Sequence, residues 1–142
     1  MDARAIVDSG FIAALWDRKD SRHAWAAATA TDLRGPWLTC EGCVSETAFL
    51  LGDGLGAAAV LDFYEQIERG LIISRHLIPE ELARVQTETA RYRGRVVDFA
   101  DACLMVLSDQ HPRLPLVTTD GNDFSVYLRG RKNRKVIVPS RG

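Results

Sequence analysis

The stretch Asp98-Phe-Ala-Asp-Ala-Cys-Leu-Met-Val-Leu-Ser-Asp109 constrains the fold of this chain more than any other. Every residue from Ala102 to Leu107 is apolar, so a helix here is hydrophobic nearly all round and belongs in a core. Its first turn nevertheless carries Asp98 and Asp101, which at i, i+3 share one helical face. Two readings of the pair stand side by side. In one, Asp98 is an N-cap and Asp101 a first-turn acid, both favoured by the helix dipole. In the other, a buried helix holds carboxylates at the mouth of a metal site.

The remaining chain bounds the choice. With 142 residues, one domain spanning 1–142 with a substantial core is the simplest organisation. A formal charge of -1 excludes a uniformly basic nucleic-acid coat but leaves room for a local basic surface. No apolar run reaches the roughly 20 residues of a membrane span, and the first residues lack an apolar region of signal-peptide length. A cytoplasmic protein that engages no membrane is the expectation. Three cysteines are an odd number, against a disulfide framework. Cys40 and Cys43 form a C-x-x-C without the second ligand pair of a structural zinc site, and Cys103 reads as core packing.

In chain order, a short buried strand over Ala3–Val7 ends at Asp8-Ser9-Gly10, and a helix follows from Phe11 to Trp16. Asp20 and Ser21 open an alanine-rich helix from His23 to Ala30. Gly35-Pro36 breaks the chain before a second strand, Trp37-Leu38-Thr39. Val44–Leu51 reads as a helix with Glu46 in its early turns, and Gly52–Gly56 as a helix–helix loop. That glycine-rich loop is no phosphate-binding P-loop, because no Gly-Lys-Ser/Thr follows. Ala57–Arg69 is the next helix, capped by Gly70, before a strand at Leu71–Ile73. Pro79 starts a peripheral helix with a thin apolar stripe of Leu82, Val85 and Tyr92. The Asp98 helix leads to a strand over Leu116–Thr118 ending at Thr119-Asp120, and Val136–Val138 is a fifth strand. Alternating strands and helices imply an α/β fold with a mainly parallel sheet of about five strands between helical layers.

In such sheets the strand C-termini and the N-termini of the following helices share one edge, where ligands bind. Asp8 ends the first strand, Glu46 lies early in the helix after the second, Asp98 and Asp101 open the buried helix, and Asp120 ends the fourth strand with Asp123 close behind. Each alone reads as a cap or turn residue. Four separated acidic positions (Asp8, Glu46, Asp101 and Asp120) converging on one edge are less easily explained so. Clustered carboxylates raise one another's pKa unless neutralised. His23, His76 and His111 form no H-E-x-x-H, and an all-oxygen set suits a hard cation, Mg²⁺ or Mn²⁺. The implied chemistry is phosphodiester hydrolysis.

The set Ile-Val-Asp8-Ser, Glu46-Thr-Ala, Asp98-Phe-Ala-Asp101-Ala and Thr118-Thr-Asp120-Gly-Asn-Asp123-Phe resembles the PIN domain, and more narrowly the VapC-type ribonuclease toxins of type II toxin–antitoxin pairs. The resemblance spans nearly the whole chain. It implies an α/β/α sandwich, a divalent-metal-dependent endoribonuclease, a homodimer, and neutralisation by a small antitoxin. Carried over by position, Asp8, Glu46, Asp101 and Asp120 are the metal-binding catalytic carboxylates. Asp98 is a cap or an auxiliary ligand, and Asp123 a ligand acting through water. Ser9 and Thr118 are either hydroxyls orienting a carboxylate or simply a cap and a strand residue.

For RNA contact the basic candidates are Arg91, Arg93 and Arg95 and the run Arg129–Lys135, which are equally candidates for antitoxin contact or a solvated face. No aromatic ladder for stacking bases is evident in the sequence. Rival readings are a phosphoacceptor domain using Asp8, a PIN fold that only binds RNA or a partner, and a housekeeping RNA-processing nuclease. The first wants a lysine where Asp120 stands, and the second the loss of an acidic position, which does not occur.

Overall fold

The computed structural model describes residues 2–92, 94, 96–128, 131 and 134–139. The elements run β1 (Ala5–Val7), α1 (Ser9–Trp16), α2 (His23–Leu33), β2 (Trp37–Cys40), α3 (Glu41–Leu55), α4 (Ala57–Glu68), β3 (Ile72–Arg75), α5 (Pro79–Arg91), α6 (Phe99–Gln110), β4 (Leu116–Val117), α7 (Gly121–Tyr127) and β5 (Val136–Ile137). All five strands pair in parallel, in the order β3-β2-β1-β4-β5.

The period of two along each strand divides the apolar residues between two cores. Ile6, Leu38 and Leu116 face one layer, packed against α6 together with Val85 of α5 and Phe124 and Tyr127 of α7. Ala5, Val7, Trp37, Ile72 and Val117 face the other, packed against Phe11 and Ile12 of α1, Ala26 of α2, Leu51 of α3 and Phe63 of α4. Strands buried on both faces read as continuous apolar runs, and Ala5-Ile6-Val7 is one. Helix α6 is buried from Ala102 to Ser108, as its all-round apolarity requires. Among the described residues no helix is long and apolar enough to cross a membrane. Cys40, Cys43 and Cys103 are free and buried.

Chain direction sets where the site lies. From β1 the chain moves to β2 and then β3 on one side, and β4 and β5 lie on the other. The strand order therefore reverses between β1 and β4, and a crevice opens at the carboxyl ends of these two strands.

Two sequence expectations are corrected, and one helix is added. Gly52–Gly56 is not a loop: α3 continues to Leu55, and only Gly56, at φ 92°, turns the chain, its N–H bonding Leu51 O and Gly52 O. Packing of α3 on α4 overrides the weak helix propensity of Gly52 and Gly54. Helix α5 is less peripheral than its composition suggests. Leu82 is 45% exposed, whereas Glu81, Val85 and Glu88 are buried. Those two acids are partnered: Arg75 Nη2 bonds Glu81 Oε1, and Arg131 Nη2 bonds Glu88 Oε1. Finally, Gly121–Tyr127 is a helix that the apolar pattern did not reveal, because its length is only 7 residues.

Candidate metal centre and active site

The helices that follow β1 and β4, and helix α6 that leads into β4, start on acids. Asp8 caps α1, its Oδ1 accepting the Phe11 N–H at 2.8 Å. Asp98 caps α6, its Oδ1 accepting the Asp101 N–H at 2.8 Å. Asp120 caps α7, its Oδ1 accepting the Asp123 N–H at 3.2 Å. The capping reading of these residues is correct, and it does not compete with convergence. Each cap anchors a carboxylate at a helix N-terminus, where the dipole favours negative charge, and the topology aims the helices at one edge.

Within this edge Asp101, Asp120 and Asp123 each offer a carboxylate oxygen, and the three oxygens lie within 4.8 Å of one another. Asp8 stands behind them, 7% exposed, with both oxygens engaged. Its Oδ2 accepts the Thr118 hydroxyl, and Thr118 Oγ1 in turn accepts the Asp120 N–H at 2.8 Å. One buried threonine at the end of β4 thus fixes the acids of both central strands. Glu46, exposed on α3, accepts the Ser9 hydroxyl at 2.9 Å. Ser9 and Thr118 are therefore orienting hydroxyls here.

The electrostatics record the crowding. Burial raises the Asp8 carboxyl to about 6 against the bonds from Thr118 and Phe11, with the Asp120 charge adding to the rise. Burial likewise raises Asp101 to about 7, helped by the charges of Asp98, Asp120, Asp8 and Glu46. All the acids flagged by the sequence other than Asp123 thus act on Asp101, and Asp123 reaches it through the oxygen triad.

A donor set of three carboxylate oxygens from the N-terminal turns of two helices, α6 and α7, fits a hard divalent cation. Asp101, Asp120 and Asp123 are the residues that could hold it, with Asp8, Glu46 and Asp98 around them. The resemblance implies Asp123 as a ligand acting through water, whereas the structure brings its carboxylate into the tight group. The signal was present: Asp120-Gly-Asn-Asp123 repeats the spacing of Asp98-Phe-Ala-Asp101, a cap followed by an acid one turn on.

Two glycines permit the approach. A Cβ on Gly10 would lie 2.0 Å from Thr119 Oγ1, and one on Gly42 would lie 3.0 Å from Ala100 Cα. The first keeps α1 against the loop after β4, and the second keeps α3 against the start of α6.

Part of the basic run considered for RNA has another role. Arg134 Nη2 bonds Asp109 Oδ1 at 3.0 Å, and Arg131 pairs with both Glu88 and Asp109. Arg91 lies 3.5 Å from Glu88. Arg93, Arg95, Arg129, Lys132 and Asn133 lie outside the described residues.

No protein-family model matches the sequence, and no curated protein matches it significantly. Solved structures do resemble the fold. VapC20 of Mycobacterium tuberculosis, a sarcin–ricin loop cleaving toxin, gives a TM-score of 0.75 at 20% identity, covering 86% of this chain and 94% of its own. FitAcB from Neisseria gonorrhoeae gives 0.66 at 16% identity, covering 95% and 97%. With five parallel strands between helical layers and a fold shared with VapC20 along most of both chains, this protein has a PIN-like α/β fold.

Proposed function

We propose that this protein is a divalent-metal-dependent endoribonuclease that hydrolyses RNA phosphodiester bonds, and that it is the toxin of a type II toxin–antitoxin pair. The observation that carries the reading is the meeting of Asp101, Asp120 and Asp123 within 4.8 Å at the switch point, backed by buried Asp8. The likeness in fold to VapC20, a sarcin–ricin loop cleaving toxin, supports the choice of RNA and of the toxin role.

Asp101, Asp120 and Asp123 would hold Mg²⁺ or Mn²⁺, with Asp8, Glu46 and Asp98 shaping the field around them. A bound ion supplies Lewis-acid activation of water and stabilises the charge that develops on the phosphate. The chain's own contribution is positioning. Thr118 holds Asp8 and the backbone of Asp120 in register, Ser9 holds Glu46, and Asp98 fixes the turn that presents Asp101. A cognate small antitoxin and a homodimer belong to the same reading through the resemblance to VapC-type toxins.

The test is cleavage of a broad RNA panel by purified protein with Mg²⁺, Mn²⁺ or EDTA, alongside Asp101→Asn. The reading expects cleavage that requires the metal and that the substitution abolishes. Cleavage unaffected by either change would refute it. For the toxin role, induced expression in a bacterial host should arrest growth for wild type and not for Asp101→Asn. Unchanged growth with an active nuclease would assign a housekeeping role instead.

A further inference from the structure

Two aromatic side chains next to the acid centre are left in solvent. Phe49 is 72% exposed and lies three residues beyond Glu46 on α3, so the two share a helical face. Phe99 is 51% exposed and follows Asp98 at the start of α6. Both line one open groove of about 690 Å³, together with Glu41, Ser45, Glu46 and Asp98. The Phe99 ring is seated by a close approach: a Cβ on Gly42 would lie 3.3 Å from its Cδ1. Asp98, which lines this groove, also accepts the Asp101 N–H at 2.8 Å, so the groove adjoins the candidate metal centre.

We propose that the groove is a nucleobase subsite, in which an unpaired base beside the scissile phosphate stacks on Phe49 and Phe99. This rests on the endoribonuclease reading above and adds two residues, Phe49 and Phe99, that position the substrate for it. The lining decides which part of RNA enters. Among the described residues it carries Glu41, Glu46 and Asp98 and neither lysine nor arginine, a lining that disfavours backbone phosphates. A base is uncharged, has a π-face for the phenyl rings, and has edge N–H groups that carboxylates accept. An apolar peptide side chain would cover the rings but leave the carboxylates without donors. In an A-form duplex the base faces are stacked inside the helix, so only loops, bulges or single strands can offer one.

The test uses a synthetic single-stranded RNA that the wild-type protein cuts, together with copies made abasic at each position flanking the cut and with the same sequence in a duplex. Phe49→Ala and Phe99→Ala are each expected to lower kcat/KM by about ten-fold, a loss of the size found for base–aromatic stacking. Phe99→Tyr should retain most of the activity. One abasic position should lower wild-type cleavage to a similar degree and have no further effect on the alanine variants, and the duplex should resist. Alanine variants that cut as well as wild type would overturn the proposal. So would losses from abasic substrate and variant that multiply, or variants that cut normally but no longer bind a protein partner. Failure of the ribonuclease reading is separately visible, as wild-type protein that cuts no RNA at all.

Discussion

The Thr118 hydroxyl donates to Asp8 Oδ2, joining the ends of β1 and β4 across 110 residues of sequence. The same oxygen accepts the Asp120 N–H, so this side chain sets the spacing between the acids on either side of the switch point. Thr118→Val keeps the shape and removes both bonds, leaving Asp8 Oδ2 buried without its donor. The expected outcome is a stability loss of about 1–3 kcal/mol in urea denaturation, with a marked fall in RNA cleavage. Thr118→Ser restores the hydroxyl and should recover most of both.

The raised acids make stability depend on pH in a defined direction. Asp8 at about 6 and Asp101 at about 7 lie above their ordinary 3.8, so folding favours their protonated forms. Their contribution is fully present below pH 3.8 and is lost as pH rises through 6 and 7. In the metal-free protein, these two groups therefore lower Tm between pH 5 and pH 8. Calorimetry should show Mg²⁺ raising Tm more at pH 8 than at pH 5, and Asp101→Asn should flatten the metal-free decline. An equal Mg²⁺ effect at both pH values would contradict this.

Gly42 faces the backbone of Ala100, where a Cβ would stand 3.0 Å from Cα. Gly42→Ala is expected to push α3 from α6 and so move Glu46 away from Asp101. Overpacking of this kind costs about 1–3 kcal/mol. Cleavage should fall by more than a loss of folded protein explains, measured per folded molecule from circular dichroism.

Glu88 and Arg131 form a pair with side chains only 7% and 11% exposed. Glu88→Gln leaves Asp109, 3.6 Å from Arg131 Nη1, to balance the Arg131 charge, so the loss falls below the roughly 3–5 kcal/mol of a fully broken buried pair, at about 1–3 kcal/mol. Denaturation should register that loss, while metal-dependent cleavage of the remaining folded protein stays near wild type.

The sequence and the structure agree most closely where periodicity and topology act together. Ala5-Ile6-Val7 and the Ala102–Leu107 run declare a two-sided sheet and a buried helix, and alternation of elements places Asp8, Asp101 and Asp120 on one edge. What the chain hid were features without a periodic signal. Helix α7 is too short to show one, and its first turn is what carries Asp123 to Asp101 and Asp120. The helical course of Gly52–Leu55 depends on packing against α4. Arg131 and Arg134 read as candidates for RNA or antitoxin contact or for a solvated face, because nothing local shows that Glu88 and Asp109 lie opposite them. Phe49 and Phe99 are 50 residues apart, and only the fold places them on one groove.

The most direct measurement is Mn²⁺ binding, followed by electron paramagnetic resonance, in wild type, Asp120→Asn and the double variant Asp101→Asn/Asp123→Asn. If the oxygen triad holds the ion, wild type binds Mn²⁺ in competition with Mg²⁺, Asp120→Asn weakens binding by at least ten-fold, and the double variant abolishes it. Wild-type affinity retained by the double variant, with all three proteins folded, would show that the acids at the switch point are helix caps and not a metal centre.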